Sequence, residues 1–429
     1  MRGLLTTAAL AVTAAFLFAG QGQAAAISSD RFGIQDDAWL RWGPAPFTGT
    51  LESRLNMLDT LGVKMVRFTL VWREVAPTEP ASPTDPNDPA YDWHAFDPVM
   101  KGLHAHHITA LVTIWGSPAW ANGGHGQNFM PTRGFGNFAY AAARRYPWVR
   151  LWTAWNEPNL RVFAAPVSPS LYVRHVLNPA WAALHRANRA NRVAGGVTSP
   201  RRTPSGMSPV TFAEGMRRAH ARLDAYAANP HPVSRNETPF GDPCRTCQTL
   251  TMARLGKIRK LVTRLWGART PLWLTEYAYE TNPPQQARGI PWARQAVFVG
   301  QSALRVWQQP NTTLLIWFLV RDEPRVAGWQ SGLFTTTGVP KPARAAFALP
   351  LAQFSRRGTR TVLWGQVRPG SGRRPYAIQR VRNGRWVNVG GWRTGVGGTF
   401  RVTVNLARGT RVRLRSSRAP WPSPVLVVT

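Results

Sequence analysis

Short apolar runs alternate with amphipathic stretches along most of the chain. Eight such runs begin near Phe32, Met65, Thr109, Arg150, Val193, Leu223, Leu272 and Thr313. Each opens a unit that closes in a helical pattern, and successive units lie about 40 residues apart, the length of a strand–helix repeat in a barrel. Strands that alternate with helices predict a parallel sheet with both faces covered. The first long helix is predicted over Leu51 to Leu61, where Leu51, Leu55, Leu58 and Leu61 recur at helical spacing and Gly62 stops the element. An open, doubly wound sheet is the rival, but it wants a glycine-rich phosphate loop after the first strand. Phe32-Gly33-Ile34-Gln35-Asp36-Asp37 has none. The pattern predicts an α/β fold: a (β/α)8 TIM barrel over residues 27–352.

From about Phe354 the period changes. Thr361–Val367, Tyr376–Gln379, Trp386–Val389, Phe400–Val404 and Arg411–Leu414 alternate apolar with polar positions between glycine-rich turns. Period-two alternation with frequent turns predicts a small antiparallel β-sandwich of five to seven strands over 353–429.

Two of the barrel runs end in a carboxylate. Leu151-Trp152-Thr153-Ala154-Trp155 runs into Asn156-Glu157-Pro158-Asn159, and Pro158, which cannot donate a ladder hydrogen bond, is expected to end the strand. Leu272-Trp273-Leu274 runs into Thr275-Glu276-Tyr277. A carboxylate at a strand end is costly without a partner or a task. A lone glutamate there would most simply salt-bridge a neighbour. Two on one rim fit glycoside hydrolysis, in which one protonates the leaving oxygen and the other attacks the anomeric carbon or activates a water.

Trp155-Asn156-Glu157-Pro158-Asn159 and Leu274-Thr275-Glu276-Tyr277 resemble the acid/base and nucleophile strands of the retaining (β/α)8 glycoside hydrolases, in the manner of glycoside hydrolase families 39 and 5. The resemblance implies that these are the fourth and seventh barrel strands, that Glu157 is the acid/base and Glu276 the nucleophile, and that their carboxyl groups stand about 5–5.5 Å apart. It implies substrate-binding roles for Asn156 on a sugar 2-hydroxyl, for Trp115 in the third-strand loop and for His231 after the sixth strand. The tyrosine that usually follows that histidine is absent, since Pro232 and Val233 stand there, so either Tyr277 or Tyr279 substitutes or the groups that support the nucleophile differ. Trp317, at the end of the eighth run, is the expected sugar platform, against packing the barrel as its alternative. Arg67 is an isolated cation in a strand, expensive unless paired. The resemblance turns it inward onto Glu276, and the alternative is an outward side chain snorkelling past the helices. Asp322 and Glu323 either bind hydroxyls or cap their loop.

Other polar groups have plainer readings. His104, His106 and His107 close a helix and suit its carbonyl dipole better than a metal. Asp85, Asn87 and Asp88 lie in a proline-rich stretch that suits a surface loop better than a calcium site. No metal and no organic cofactor is expected.

Composition adds a location and a partner. Met1-Arg2, an apolar stretch from Leu4 to Gly20 and Ala24-Ala25-Ala26 have the form of a signal peptide over residues 1–26, so a secreted protein with no membrane span in the mature chain is expected. Cys244 and Cys247, the two cysteines, then suit a loop disulfide better than redox work or zinc. Twenty tryptophans lean toward carbohydrate, the substrate expected being an oligo- or polysaccharide acted on by a monomer. The net charge is +33, and 48 of the 53 basic residues are arginine. A GC-rich genome would give the same bias. The distribution says more: Leu351 to Thr429 holds 16 arginines and no Asp or Glu. Such a module would adhere to anionic cell-wall or matrix polymers. No recognition helix, zinc finger or aromatic RNA motif accompanies the charge, so nucleic acid is not the expected partner. The rival functions are a barrel that binds or transglycosylates without hydrolysis, and an adhesion protein whose basic module is the active part.

Overall fold

The structure, a computed structural model, describes residues 27–43, 49–242, 249–370 and 372–429. The expected export segment 1–26 and the Cys244–Cys247 pair lie outside the described residues.

Eight parallel strands close a barrel: β1 (Phe32–Gln35), β2 (Met65–Val71), β3 (Thr109–Trp115), β4 (Leu151–Ala154), β5 (Arg192–Thr198), β6 (Ala225–Ala228), β7 (Leu272–Tyr277) and β8 (Thr312–Phe318). They pair in sequence order, and β8 returns to β1 through Phe32 opposite Leu315 and Ile34 opposite Trp317. Alternate side chains face the axis. Met65, Leu111, Leu151, Ala194, Ala225, Ala227, Trp273, Leu314 and Ile316 fill the interior. The other parity packs against the surrounding helices in one continuous core, where Trp72 stacks on Phe138 at 5.5 Å. Both strand faces are therefore apolar, which is why the runs lack alternation in sequence.

β4 departs from the expectation. It ends at Ala154, before Pro158, because the chain leaves extended geometry at Trp155 (φ 74°) and again at Glu157 (φ 39°). Positive φ at two bulky residues is strained and is held here by backbone bonds from Trp155 N to Ile114 O (2.9 Å) and Glu157 N to Val197 O (3.1 Å).

The C-terminal part is the expected sandwich. Its strands are β9 (Leu351–Arg357), β10 (Arg360–Gln366), β11 (Pro375–Arg382), β12 (Arg385–Arg393), β13 (Thr399–Asn405), β14 (Arg411–Arg415) and β15 (Leu426–Val427). One antiparallel sheet runs β9-β10-β13, the other β12-β11-β14-β15. Leu363, Ile378, Phe400, Val412 and Leu414 lie between them. The first sheet meets the barrel through Trp364 against Trp307, with ring centres 5.9 Å apart. Close approach also fixes Gly300 on the helix Trp292–Trp307, where a Cβ would stand 2.5 Å from the Leu351 carbonyl. Among the described residues no helix is long and apolar enough to cross a membrane.

Candidate active site

The carboxyl ends of the strands open into a cleft of about 500 Å³, and Glu157 and Glu276 both line it. Arg67 is the hub beneath them, fully buried and facing the axis as β2 alternation dictates. Its Nε donates to Thr113 Oγ1 (2.8 Å) on β3, its Nη1 to Gln35 Oε1 (2.9 Å) on β1 and to Glu276 Oε1, and its Nη2 to Asn156 Oδ1 (2.8 Å). The inward reading of Arg67 holds, and the snorkelling alternative is excluded. One guanidinium ties together the ends of five strands.

Glu276 owes its direction to an irregularity. Leu315 pairs with Leu274 and Trp317 with Tyr277, so the single residue Ile316 spans both Thr275 and Glu276. This bulge turns both side chains toward the mouth. Thr275 Oγ1 donates to Asn229 Oδ1 (2.7 Å), and Glu276 meets Arg67 through one oxygen and His231 Nε2 (3.5 Å) through the other. Asn229 Nδ2 in turn donates to Glu157 Oε1 (3.1 Å). Asn229 Nδ2 also donates to Asn156 Oδ1 (3.4 Å), so a polar chain runs from Glu276 through Arg67, Asn156 and Asn229 to Glu157.

Their environments push them apart. Burial lifts the Glu157 carboxyl from its ordinary range to about 8, and the Glu276 charge adds to that lift against weaker pulls from Asn229, Arg67 and Arg201. Burial would lift Glu276 too, but Arg67 and His231 outweigh it and hold this carboxyl below its ordinary range. At neutral pH Glu157 carries a proton and Glu276 a charge. A buried acid beside a buried, cation-held anion is the pairing that general-acid and nucleophilic work requires.

Trp115 lines the cleft as expected, its indole N–H donating to Phe163 O (3.3 Å). Two expected substrate contacts are corrected. Tyr277 is fully buried with its ring against Trp317 and Tyr279, and Trp317 is buried with its indole N–H on Ser331 O (3.2 Å). Neither is among the cleft-lining residues. The bulge is the reason: beyond it Tyr277 takes the helix-facing side, opposite Trp317. Nor does Tyr279 reach Glu276; its hydroxyl donates to Glu237 O (3.0 Å). His231 occupies the place by the nucleophile candidate that a tyrosine was expected to fill.

The aromatic surface comes instead from Phe318 and Trp329. Phe318 has the inward parity of β8, and Trp329 stands edge-on to it at 5.4 Å and against the His231 ring at 4.6 Å. Glu323 accepts from Trp329 N (2.7 Å), so it caps the loop that presents the indole. Asp322 is buried on Lys341 Nζ (2.7 Å). Sequence reasoning missed Asn229, Gln35, Thr113 and Trp329 as parts of the site. Asn229, Gln35 and Thr113 had a signal, since each is polar at or near the carboxyl end of an apolar strand. Trp329, in a loop of no period, had none.

Elsewhere, His106 pairs with Asp59 (2.6 Å) and Glu52 (3.1 Å), and His104 stacks on Trp148 at 4.7 Å. Asp85 and Asp88 accept from loop amides at Asn87, Ser82 and Ala90.

The chain matches no protein-family model and no curated protein. Solved structures do resemble it. A monomeric β-xylosidase from Caulobacter crescentus CB15 aligns over 91% of this chain and 97% of its own, with a TM-score of 0.56 at 15% identity. A GH5_18 from Bifidobacterium longum subsp. infantis aligns over 75% and 78%, with a TM-score of 0.54 at 18% identity. A GH5_18 from Streptomyces cattleya in complex with GlcNAc aligns over 75% and 79%, with a TM-score of 0.52 at 18% identity. The likeness is one of fold, an eight-stranded parallel barrel wrapped in helices. At these identities the likeness speaks for architecture alone.

Proposed function

We propose that the protein is a retaining glycosidase acting on a β-linked glycan. The observation that carries this is two buried carboxyl groups in one cleft with unlike partners: Glu276 on Arg67 and His231, which hold it down, and Glu157 on the neutral Asn229, where burial pushes it up to about 8. In the first step Glu157 gives its proton to the glycosidic oxygen while Glu276 attacks the anomeric carbon. The C–O bond to the leaving group breaks as the ester to Glu276 forms. In the second step Glu157, now a carboxylate, takes a proton from water, whose oxygen displaces Glu276 from the same carbon. Arg67 and His231 lower the cost of the free Glu276 carboxylate at the start and end of the cycle. Asn156, oriented by Arg67, is suited to a sugar 2-hydroxyl, and Phe318 and Trp329 to the apolar face of a ring. The assignment of the two roles follows from charge: a carboxylate held ionised attacks, whereas a protonated one donates.

We further infer export, on the form of residues 1–26, and adhesion of the arginine-rich sandwich to an anionic polymer, on its charge. The barrel reading is tested with aryl β-glycosides and with β-glucan, mannan and xylan, using wild type, Glu157→Gln and Glu276→Gln. Hydrolysis of at least one substrate with retained anomeric configuration, lost in Glu276→Gln and lowered in Glu157→Gln most on the natural glycans, is expected. No turnover on any substrate, or turnover that survives Glu276→Gln, overturns the reading.

A further inference from the structure

The sandwich has one sheet against the barrel and one facing away. Cross-strand partners in the outer sheet show which side chains point to solvent. Ile378 pairs with Leu414 and Arg380 with Val412, and Ile378, Leu414 and Val412 lie in the sandwich core. The intervening pairs, Ala377 with Arg415 and Gln379 with Arg413, therefore face outward. On the other side of β11, Gln379 pairs with Asn388. The result is an ordered row across three strands. Arg413 Nε donates to Gln379 Oε1 (2.8 Å), and Gln379 Nε2 donates to Asn388 Oδ1 (3.0 Å). The Arg413 guanidinium also lies over the Trp386 ring at 4.2 Å.

Arg411, Arg413 and Arg415 stand on the same side of β14, each about 7 Å from the next at a two-residue repeat. Among the described residues none of them has an acidic partner, and from Leu351 to the C-terminus the sequence holds no Asp or Glu to supply one. Like charges in file along one strand repel. The cation in the middle is nonetheless fixed by an amide and an indole, and its two terminal nitrogens donate to no group among the described residues. An arrangement that holds cations in register without counter-charges is built for a repeating anion.

We propose that this face, β14 with the adjoining Gln379, Asn388 and Trp386, binds an anionic polysaccharide. The arginines take the carboxylates or phosphates, the amide pair takes hydroxyls, and Trp386 offers its open edge to a ring. The choice of a glycan among polyanions rests on the proposed function of the barrel, which the face would hold to its substrate.

The test uses the full chain carrying Glu276→Gln, so that binding is read apart from turnover, and reads affinity by gel retardation in polygalacturonate. Neutral dextran and an oligothymidylate serve as comparison ligands. Polygalacturonate should retard the protein, dextran should not, and binding should weaken steeply with salt. The combined Arg411→Gln, Arg413→Gln and Arg415→Gln variant should bind at least about tenfold more weakly. An equal charge removal on the first sheet, Arg357→Gln with Arg360→Gln and Arg401→Gln, should cost less than about twofold. Trp386→Ala should cost about fivefold. Should the triple β14 variant melt early, the corresponding triple lysine variant keeps the charge and should keep most of the binding. Equal losses in the two triple variants, binding to dextran, or a clear preference for the oligothymidylate overturns the proposal. Hydrolysis by the wild-type chain is scored separately. Missing hydrolysis with polygalacturonate binding intact counts against the barrel reading alone, and missing binding with hydrolysis intact counts against this face alone.

Discussion

The floor of the barrel cleft and the outer sheet of the sandwich are both built around arginine, with opposite results. Arg67 is buried, and every one of its donor nitrogens is met by a hydroxyl, an amide or a carboxylate. Its charge is spent inside the molecule, on Glu276. Arg411, Arg413 and Arg415 sit on an open sheet with no acid in the module to face them. Their charge is directed outward. The same side chain becomes a positioning group or a docking group according to what the fold places opposite it.

The largest effect should come from breaking the inner arrangement. Glu276→Gln is expected to lower kcat by at least about 10⁴-fold, as loss of a nucleophile does, with the fold intact by circular dichroism. Arg67→Ala leaves a buried carboxylate uncompensated. It should cost about 3–5 kcal/mol of stability in denaturant unfolding as well as most of the activity.

Glu157→Gln comes next, with about 10²–10⁴-fold loss on substrates with poor leaving groups and less on activated aryl glycosides. The wild-type rate should fall as pH rises through about 8, where Glu157 gives up its proton. The stability consequence has a definite sign. A carboxyl whose folded pKa exceeds its unfolded value costs nothing below the unfolded value of 4.5. The penalty grows as pH rises to about 8 and then stays constant. Glu157→Gln should therefore leave Tm unchanged at pH 4 and raise it by several degrees at pH 8. Asn229→Ala sharpens the same point. The hydrogen bond from Asn229 lowers the Glu157 pKa, so its removal should move the basic limb of the pH–rate profile upward. The smallest effect belongs to the outer sheet. Arg411→Gln, Arg413→Gln and Arg415→Gln, each alone, should change stability by no more than about 0.5 kcal/mol in thermal melts.

The eight-strand rhythm was legible because buried parallel strands must be apolar on both faces. The two glutamates were legible because each interrupts such a run at its carboxyl end. The sides of Tyr277 and Trp317 were not. A one-residue bulge opposite Ile316 reverses parity after Glu276, and nothing in Leu274-Thr275-Glu276-Tyr277 announces it. The early end of β4 was hidden for a related reason: positive φ at Trp155 and Glu157 is imposed by neighbouring strands rather than by local residue preference. Asn229 could have been read from its place at the end of β6. The aromatic wall could not, because Trp329 reaches the cleft on a loop whose course depends on the Glu323 cap.

The central claim is that Glu276 attacks carbon while Glu157 delivers the proton. Mass spectrometry of the wild-type protein after reaction with 2-fluoro glycosides of the preferred sugar tests it directly. The account predicts a single covalent adduct on the peptide carrying Glu276, with loss of activity in step with labelling. An adduct on any other residue, or turnover with inverted configuration and no adduct, would contradict it.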